Sequence, residues 1–160
     1  AITTNCGFLS IFQKELSSAV RVPVLTSSLM QVSTVNMLLP DRKKAGILTI
    51  SKSTLSDAHL RAANVPSDTP IGTTEDGAEF SRVILNDELQ LNIELAKLDN
   101  INAALKMKTD HPGLGAIILE CTNMSPYAEA IQEAIELPVF SIVNFVEWLH
   151  AGLKPKRFFS

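Results

Sequence analysis

Cys6 and Cys121 are the only cysteines of this 160-residue sequence, and their surroundings repeat. Sliding the chain by 115 residues brings two segments into register without a gap. Ala1-Ile2 falls on Ala116-Ile117, Ser10 on Ser125, Phe12 on Tyr127, Ala19 on Ala134, Val20 on Ile135 and Pro23-Val24 on Pro138-Val139. In both segments the cysteine stands 17 residues before the proline. Each reads as strand, cysteine, helix, Pro-Val strand, which is an internal repeat. A cysteine after the carboxyl end of a strand and before a helix stands at the edge where open α/β sheets bind ligands. The unpaired N–H groups and positive dipole end of the helix favour thiolate there. A lone cysteine is more often an inert small hydrophobe. Two in one repeated context argue for chemistry. Copies related by a pseudo-twofold axis would bring both thiols to one cleft from opposite sides. One thiolate could then take a proton from a carbon acid while the other thiol delivers one to the opposite face, which inverts the centre.

The elements that must position these thiols follow from periodicity. Residues 1–4 and 22–26 read as buried strands, and Leu9, Phe12, Leu16 and Val20 recur between them at helical spacing. Ser27 or Ser28 can cap a helix over 29–39, stopped by Pro40 and the charged turn at 41–44. A strand is expected at 45–50, a short helix from Ser56 or Asp57 to Ala63, and a loop over 64–76 with a short strand at 71–73. A long amphipathic helix is expected over 87–108, with Leu89, Ile93 and Leu98 on its apolar face and the His111-Pro112-Gly113 breaker at its end. Then come a strand at 115–120, a helix at 126–136, a strand at 139–142 and a helix at 144–151. Such alternation predicts an α/β fold with a mostly parallel sheet flanked by helices.

Composition limits the partners. With 46% hydrophobic and 19% charged residues the chain is globular. A net charge of −3 leaves no basic field for phosphates, so no nucleic acid is expected. The apolar run 139–149 is broken by Asn144 and Glu147, so no membrane span is expected. The opening residues do not read as a basic-then-apolar leader, and two cysteines fit a reducing, cytoplasmic location. His59, His111 and His150 are not at metal-ligand spacing and no Gly-rich phosphate loop occurs, so no metal or cofactor is expected. Glu120, beside Cys121, admits two readings: a solvent-edge carboxylate, or a group that raises the thiol pKa.

The copies are unequal. Residues 45–114 precede the second and begin with their own strand, whereas nothing precedes the first. The expectation is a chain lacking an N-terminal portion of similar length. The domains expected are 1–44, a partial first α/β domain; 45–143, the second; and 144–160, a C-terminal helix and tail packing back on the first.

The segments AITTNCGFL around Cys6, GILTISKSTL at 46–55 and GAIILECTNMSPYA around Cys121 resemble the aspartate/glutamate racemase superfamily. The resemblance covers nearly all of the chain. It implies two pseudo-symmetric α/β domains, the first incomplete here, with catalytic Cys6 and Cys121 and no pyridoxal cofactor. It implies that Thr122 helps hold a substrate carboxylate, with Asn123, Asn5 and Thr54 lining the site. Asn123 stands where amino-acid racemases often carry His, and Gly7-Phe8 stands where they place Asn-Thr. The first departure removes their acid-assist arrangement, and the second argues against glutamate itself as substrate. The activity implied is cofactor-independent racemisation or epimerisation of a small carboxylate, and a homodimer is the assembly implied. A Cys-dependent isomerase or decarboxylase of the same superfamily is the nearest alternative. A non-catalytic ligand-binding domain is the alternative from another class.

Overall fold

The computed structural model describes residues 1–159; Ser160, the end of the expected C-terminal segment, lies outside them. Two parallel sheets form the frame. A small one pairs β1 (Ile2–Thr3) with β2 (Val24–Leu25). The larger one has the order β4-β3-β5-β6, from β3 (Lys44–Thr49), β4 (Ile71–Thr73), β5 (Leu114–Leu119) and β6 (Val139–Phe140), every pair parallel. β3 and β5 are the central strands. They are near-continuous apolar runs because helices cover both of their faces.

Alternate residues of these strands face two cores. Leu48, Ile117 and Leu119 pack with Phe80 of α4 (Phe80–Leu85), with Ala96, Ala104 and Met107 of α5 (Ile93–Asp110), and with Ile131 and Ile135 of α6 (Ala128–Ile135). Ala45, Ile47, Ala116 and Ile118 pack on the other side with Leu29, with Val32 and Val35 of α2 (Val32–Leu38), and with Leu55, Ala63 and Val65 around α3 (Asp57–Ala62). The remaining helices are α1 (Gln13–Ala19) and α7 (Ile142–Leu153). No helix among the described residues is long and apolar enough to cross a membrane.

The expected elements differ from these in three places. The long helix expected from 87 is split. Asp87 takes a left-handed φ of 53° after α4, and α5 starts only where the Asn92 side chain accepts from the Leu95 N–H. Leu89, Ile93 and Leu98 are exposed, and α5 instead buries Ala96, Asn100, Ala104 and Met107, small or unbranched residues that let it lie close to the sheet. Asp99 of α5 accepts from the N–H groups of Ala78, Glu79 and Phe80 and so caps α4 from a distance, an arrangement that local periodicity cannot register. The strand expected over 139–142 ends at Phe140, because Ser141 is the cap of α7 and accepts from the Val143 N–H. β1, expected buried, is exposed, since it pairs on one side only.

Candidate active site

The repeat read along the sequence reappears in the hydrogen bonds. Ile2 pairs with Val24 and Thr3 with Leu25; at the same 115-residue offset, Ile117 pairs with Val139 and Ile118 with Phe140. The Ile2 N–H donates to the Pro23 carbonyl and the Ile117 N–H to the Pro138 carbonyl, both at 2.9 Å. Each cysteine is then the cap of a six-residue 3₁₀ helix, Gly7–Phe12 after Cys6 and Thr122–Tyr127 after Cys121. The first turns match as well: Leu9 N–H to Cys6 carbonyl and Met124 N–H to Cys121 carbonyl, both 3.0 Å. These tight turns, rather than the α-helices α1 and α6 that follow, are the helical ends at the sulfurs.

A narrow crevice, without room for a water molecule, is lined by Thr4, Cys6 and Gly7 of the first copy, by Ser27 and Ser28, and by Glu120 and Thr122 of the second; Cys121 does not line it. Cross-links hold its walls. Ser28 Oγ donates to the Leu119 carbonyl at 2.6 Å, tying the segment before α2 to the end of β5. Ser10 Oγ donates to the His59 carbonyl at 3.1 Å, and Phe8 meets the His59 ring edge-on at 5.1 Å, so the first cysteine turn is anchored on α3. The Thr4 hydroxyl donates to the Thr26 carbonyl.

Both cysteines are free thiols, but their settings differ. Cys6 is exposed and Cys121 half-buried. Burial first, and then the charge of Glu120, push the Cys121 thiol up to about 12. The Asn123 and Met124 N–H groups of the 3₁₀ turn favour thiolate, as expected of a helix start, and are outweighed. Cys6 is near enough that its charge would raise Cys121 further. The expectation of a thiolate at Cys121 therefore fails, because desolvation exceeds what two N–H donors return.

Glu120 is the residue whose role the sequence left open. It is 1% exposed, and burial lifts its carboxyl to about 7 against the hydrogen bond from Thr49 Oγ, 2.8 Å from Oε2. Its Oε1 is buried without a partner. Gly7 lies against this carboxyl so closely that a Cβ there would collide with both the Glu120 side chain and its carbonyl. Gly7→Ala is therefore expected to destabilise the fold by about 1–3 kcal/mol, because backbone on one side cannot give way. Chemical denaturation of the two proteins measures it, and equal midpoints would show that the turn moves aside freely.

Of the other residues singled out, Thr122 lines the cleft, while Asn5 and Asn123 are exposed beside the cysteines. Thr54 is exposed and does not reach the cleft; its hydroxyl donates to Ser51 Oγ at 2.8 Å. Ser51 in turn donates to Glu75, whose carboxyl is held down at about 2, chiefly by the hydrogen bond from Ser53. The Ser51 N–H donates to Thr49 Oγ at 3.3 Å, so this network leads back to Glu120. Gly7, Thr49 and Ser28 were not read from the sequence as site residues. Glu120 carried a readable signal: a carboxylate directly after the buried run Leu114–Leu119.

No family model matches the chain. It is 26% identical to a dimethylsulfoniopropionate lyase of Durusdinium sp. clade D over 94% of its own length and 52% of the relative's. The chain spans about half, or less, of the curated relatives it matches. Among solved structures it aligns with a glutamate racemase of Bacillus anthracis at a TM-score of 0.59 and 14% identity, covering 94% of this chain and 58% of that one. It aligns with an allantoin racemase of Pseudomonas fluorescens at 0.59 and 15% identity, covering 99% and 70%. The chain shares the fold of these racemases. Parallel strands flanked by helices are the common frame as this chain presents it.

Proposed function

We propose that the chain performs carbon-acid chemistry with its two thiols, and that the reaction is elimination from a sulfonium carboxylate of the dimethylsulfoniopropionate kind. The base takes the proton next to the carboxylate. The C–H electron pair becomes the carbon–carbon double bond, the carbon–sulfur bond breaks, and its electrons leave on neutral dimethyl sulfide. Acrylate remains, and the base returns its proton to solvent. No oxidant or reductant is needed.

The observation that carries this reading is the inequality of the thiols: Cys6 exposed, Cys121 half-buried and held as thiol. Racemisation in both directions needs two groups that exchange the roles of acid and base, whereas elimination needs one base. In this reading Cys6 takes the proton and the Cys121 thiol hydrogen-bonds to the carboxylate as charge builds on it. Thr122 and the N–H groups of its 3₁₀ turn receive that carboxylate, with Asn5, Asn123 and Thr54 as outer contacts. The divisions 1–44, 45–143 and 144–160, and a homodimer, belong to the same reading.

Racemisation of an amino acid or related carboxylate is the second reading, supported by the matched registers of the two copies. The test is to incubate the purified chain with dimethylsulfoniopropionate and assay acrylate and dimethyl sulfide. In parallel, α-proton exchange in deuterium oxide is followed by NMR for D- and L-amino acids, hydantoins and malonates. Acrylate with no exchange in the panel is the expected result. Exchange without acrylate would give the site to racemisation, and ligand affinity without either would mark a binding domain.

A further inference from the structure

The crevice at Cys6 is too narrow for a substrate, but a wider groove adjoins it. The two meet at Thr122, which lines both, and Ile142 of the crevice stands between Ser141 and Val143 of the groove. The groove holds about 620 Å³, the size of a small-molecule site. In the first copy the matching turn is covered, since Ser10 Oγ donates to the His59 carbonyl of α3. Its counterpart Ser125 Oγ has no hydrogen-bond partner, and the groove lies open beside it. Two polar groups of the groove are already engaged. Ser141 Oγ accepts from the Val143 N–H and Asn144 Oδ1 from the Ser141 N–H, so both serve the cap of α7. Glu147 lies one turn beyond Val143 on the same side of that helix, exposed, and has no ion-pair partner among the described residues. The rest of the lining is apolar: Pro126, Ala128, Val139 and Val143.

We propose that this groove is the substrate subsite of the elimination and that Glu147 sets its specificity, holding the sulfonium end while Thr122 holds the carboxylate beside Cys6. A sulfonium carries its positive charge under methyl groups. It offers no hydrogen-bond donor, so apolar walls and one nearby carboxylate suit it together. An ammonium group instead presents three N–H donors that need oriented acceptors, and here Ser141 and Asn144 have theirs engaged. The attraction between Glu147 and the cation is present in the bound substrate and fades as the sulfide leaves neutral. Glu147 therefore serves binding and discrimination rather than the chemical step. The placement of the substrate rests on the elimination reading; the preference of the groove for a methylated cation does not.

The test compares two probes of one shape that lack the sulfonium leaving group, 3-(trimethylammonio)propanoate and 4,4-dimethylpentanoate. They differ in a quaternary nitrogen against a quaternary carbon. Kd for each is measured by NMR titration of the chain, of Glu147→Gln and of Glu147→Asp. The chain is expected to bind the cationic probe about three- to fivefold more tightly than the neutral one, the scale of an exposed ion pair. Shifts are expected at Thr122, Val139 and Val143. Glu147→Gln should abolish the preference while leaving the neutral probe within about twofold, and Glu147→Asp should keep part of it. High salt should shrink the preference in the parent. In turnover, Glu147→Gln is expected to raise KM for dimethylsulfoniopropionate about threefold or more, the change falling in KM rather than in kcat. Equal binding of the two probes by the parent, a preference that survives Glu147→Gln, or shifts confined to residues outside the groove would each overturn the proposal. So would failure of both probes to bind, the result expected if a protein segment covers this face. The cation preference without acrylate formation would instead strike the elimination reading and leave the groove's selectivity standing.

Discussion

Cys6→Ala is expected to lower elimination turnover by about 10²–10⁴-fold, the range removed with a positioned general base. Cys121→Ala is expected to cost less. The leaving sulfide departs neutral and needs no proton, and the α-carbon of acrylate takes none back. Cys121 would contribute only a hydrogen bond to the reacting carboxylate, whose removal costs a smaller factor than loss of the base. Under two-thiol racemisation the losses would instead match, because each thiol must act in every turnover. Initial rates of acrylate formation for the parent and both variants measure the difference. A larger loss at Cys121 would reverse the assignment of base and donor, and equal losses would favour the two-thiol reading.

Glu120→Gln is expected to gain stability relative to the parent as pH rises from 5 to 8, by about 2–3 kcal/mol. The sign follows from proton counting. The Glu120 carboxyl holds its proton to about pH 7 in the fold and releases it near 4.5 when the chain unfolds. Between those values the folded state binds the extra proton, so the parent loses stability as pH climbs through the window. Glutamine has no proton to lose, can keep the acceptor for Thr49, and leaves that slope out. Cys121 does not blur the comparison, because its own window runs upward from about 9. Urea denaturation of both proteins at pH 5 and 8 gives the four free energies required. A stability gap that stays constant across the two pH values would mean that Glu120 is solvated.

The sequence already contained the strongest structural fact about the site, the repeat. The offset that aligned Cys6 with Cys121 and Pro23 with Pro138 also relates the strand pairings Ile2–Val24 and Ile117–Val139. Register in a buried parallel pair depends on which residues face inward, and that pattern is written in sequence order. The central strands were legible for the same reason: AGILTI and GAIILE are apolar runs without helical spacing. α5 was misread at its start and on its face because its burial depends on Ala96, Asn100 and Ala104 lying against the sheet, a contact absent from its own period.

Sequence alone determined the parallel α/β frame, the repeat and the pair of cysteine turns at its strand ends, since each depends on local pattern and chain order. Only the tertiary structure decided how the two thiols differ. Thr49, Ser28 and Gly7 are far from Glu120 along the chain, yet they close around it, and Cys121 packs against the core that holds Leu119, Met124 and Tyr127. Desolvation is a sum over everything packed against a group, so the protonation of that sulfur belongs to the fold and not to any motif.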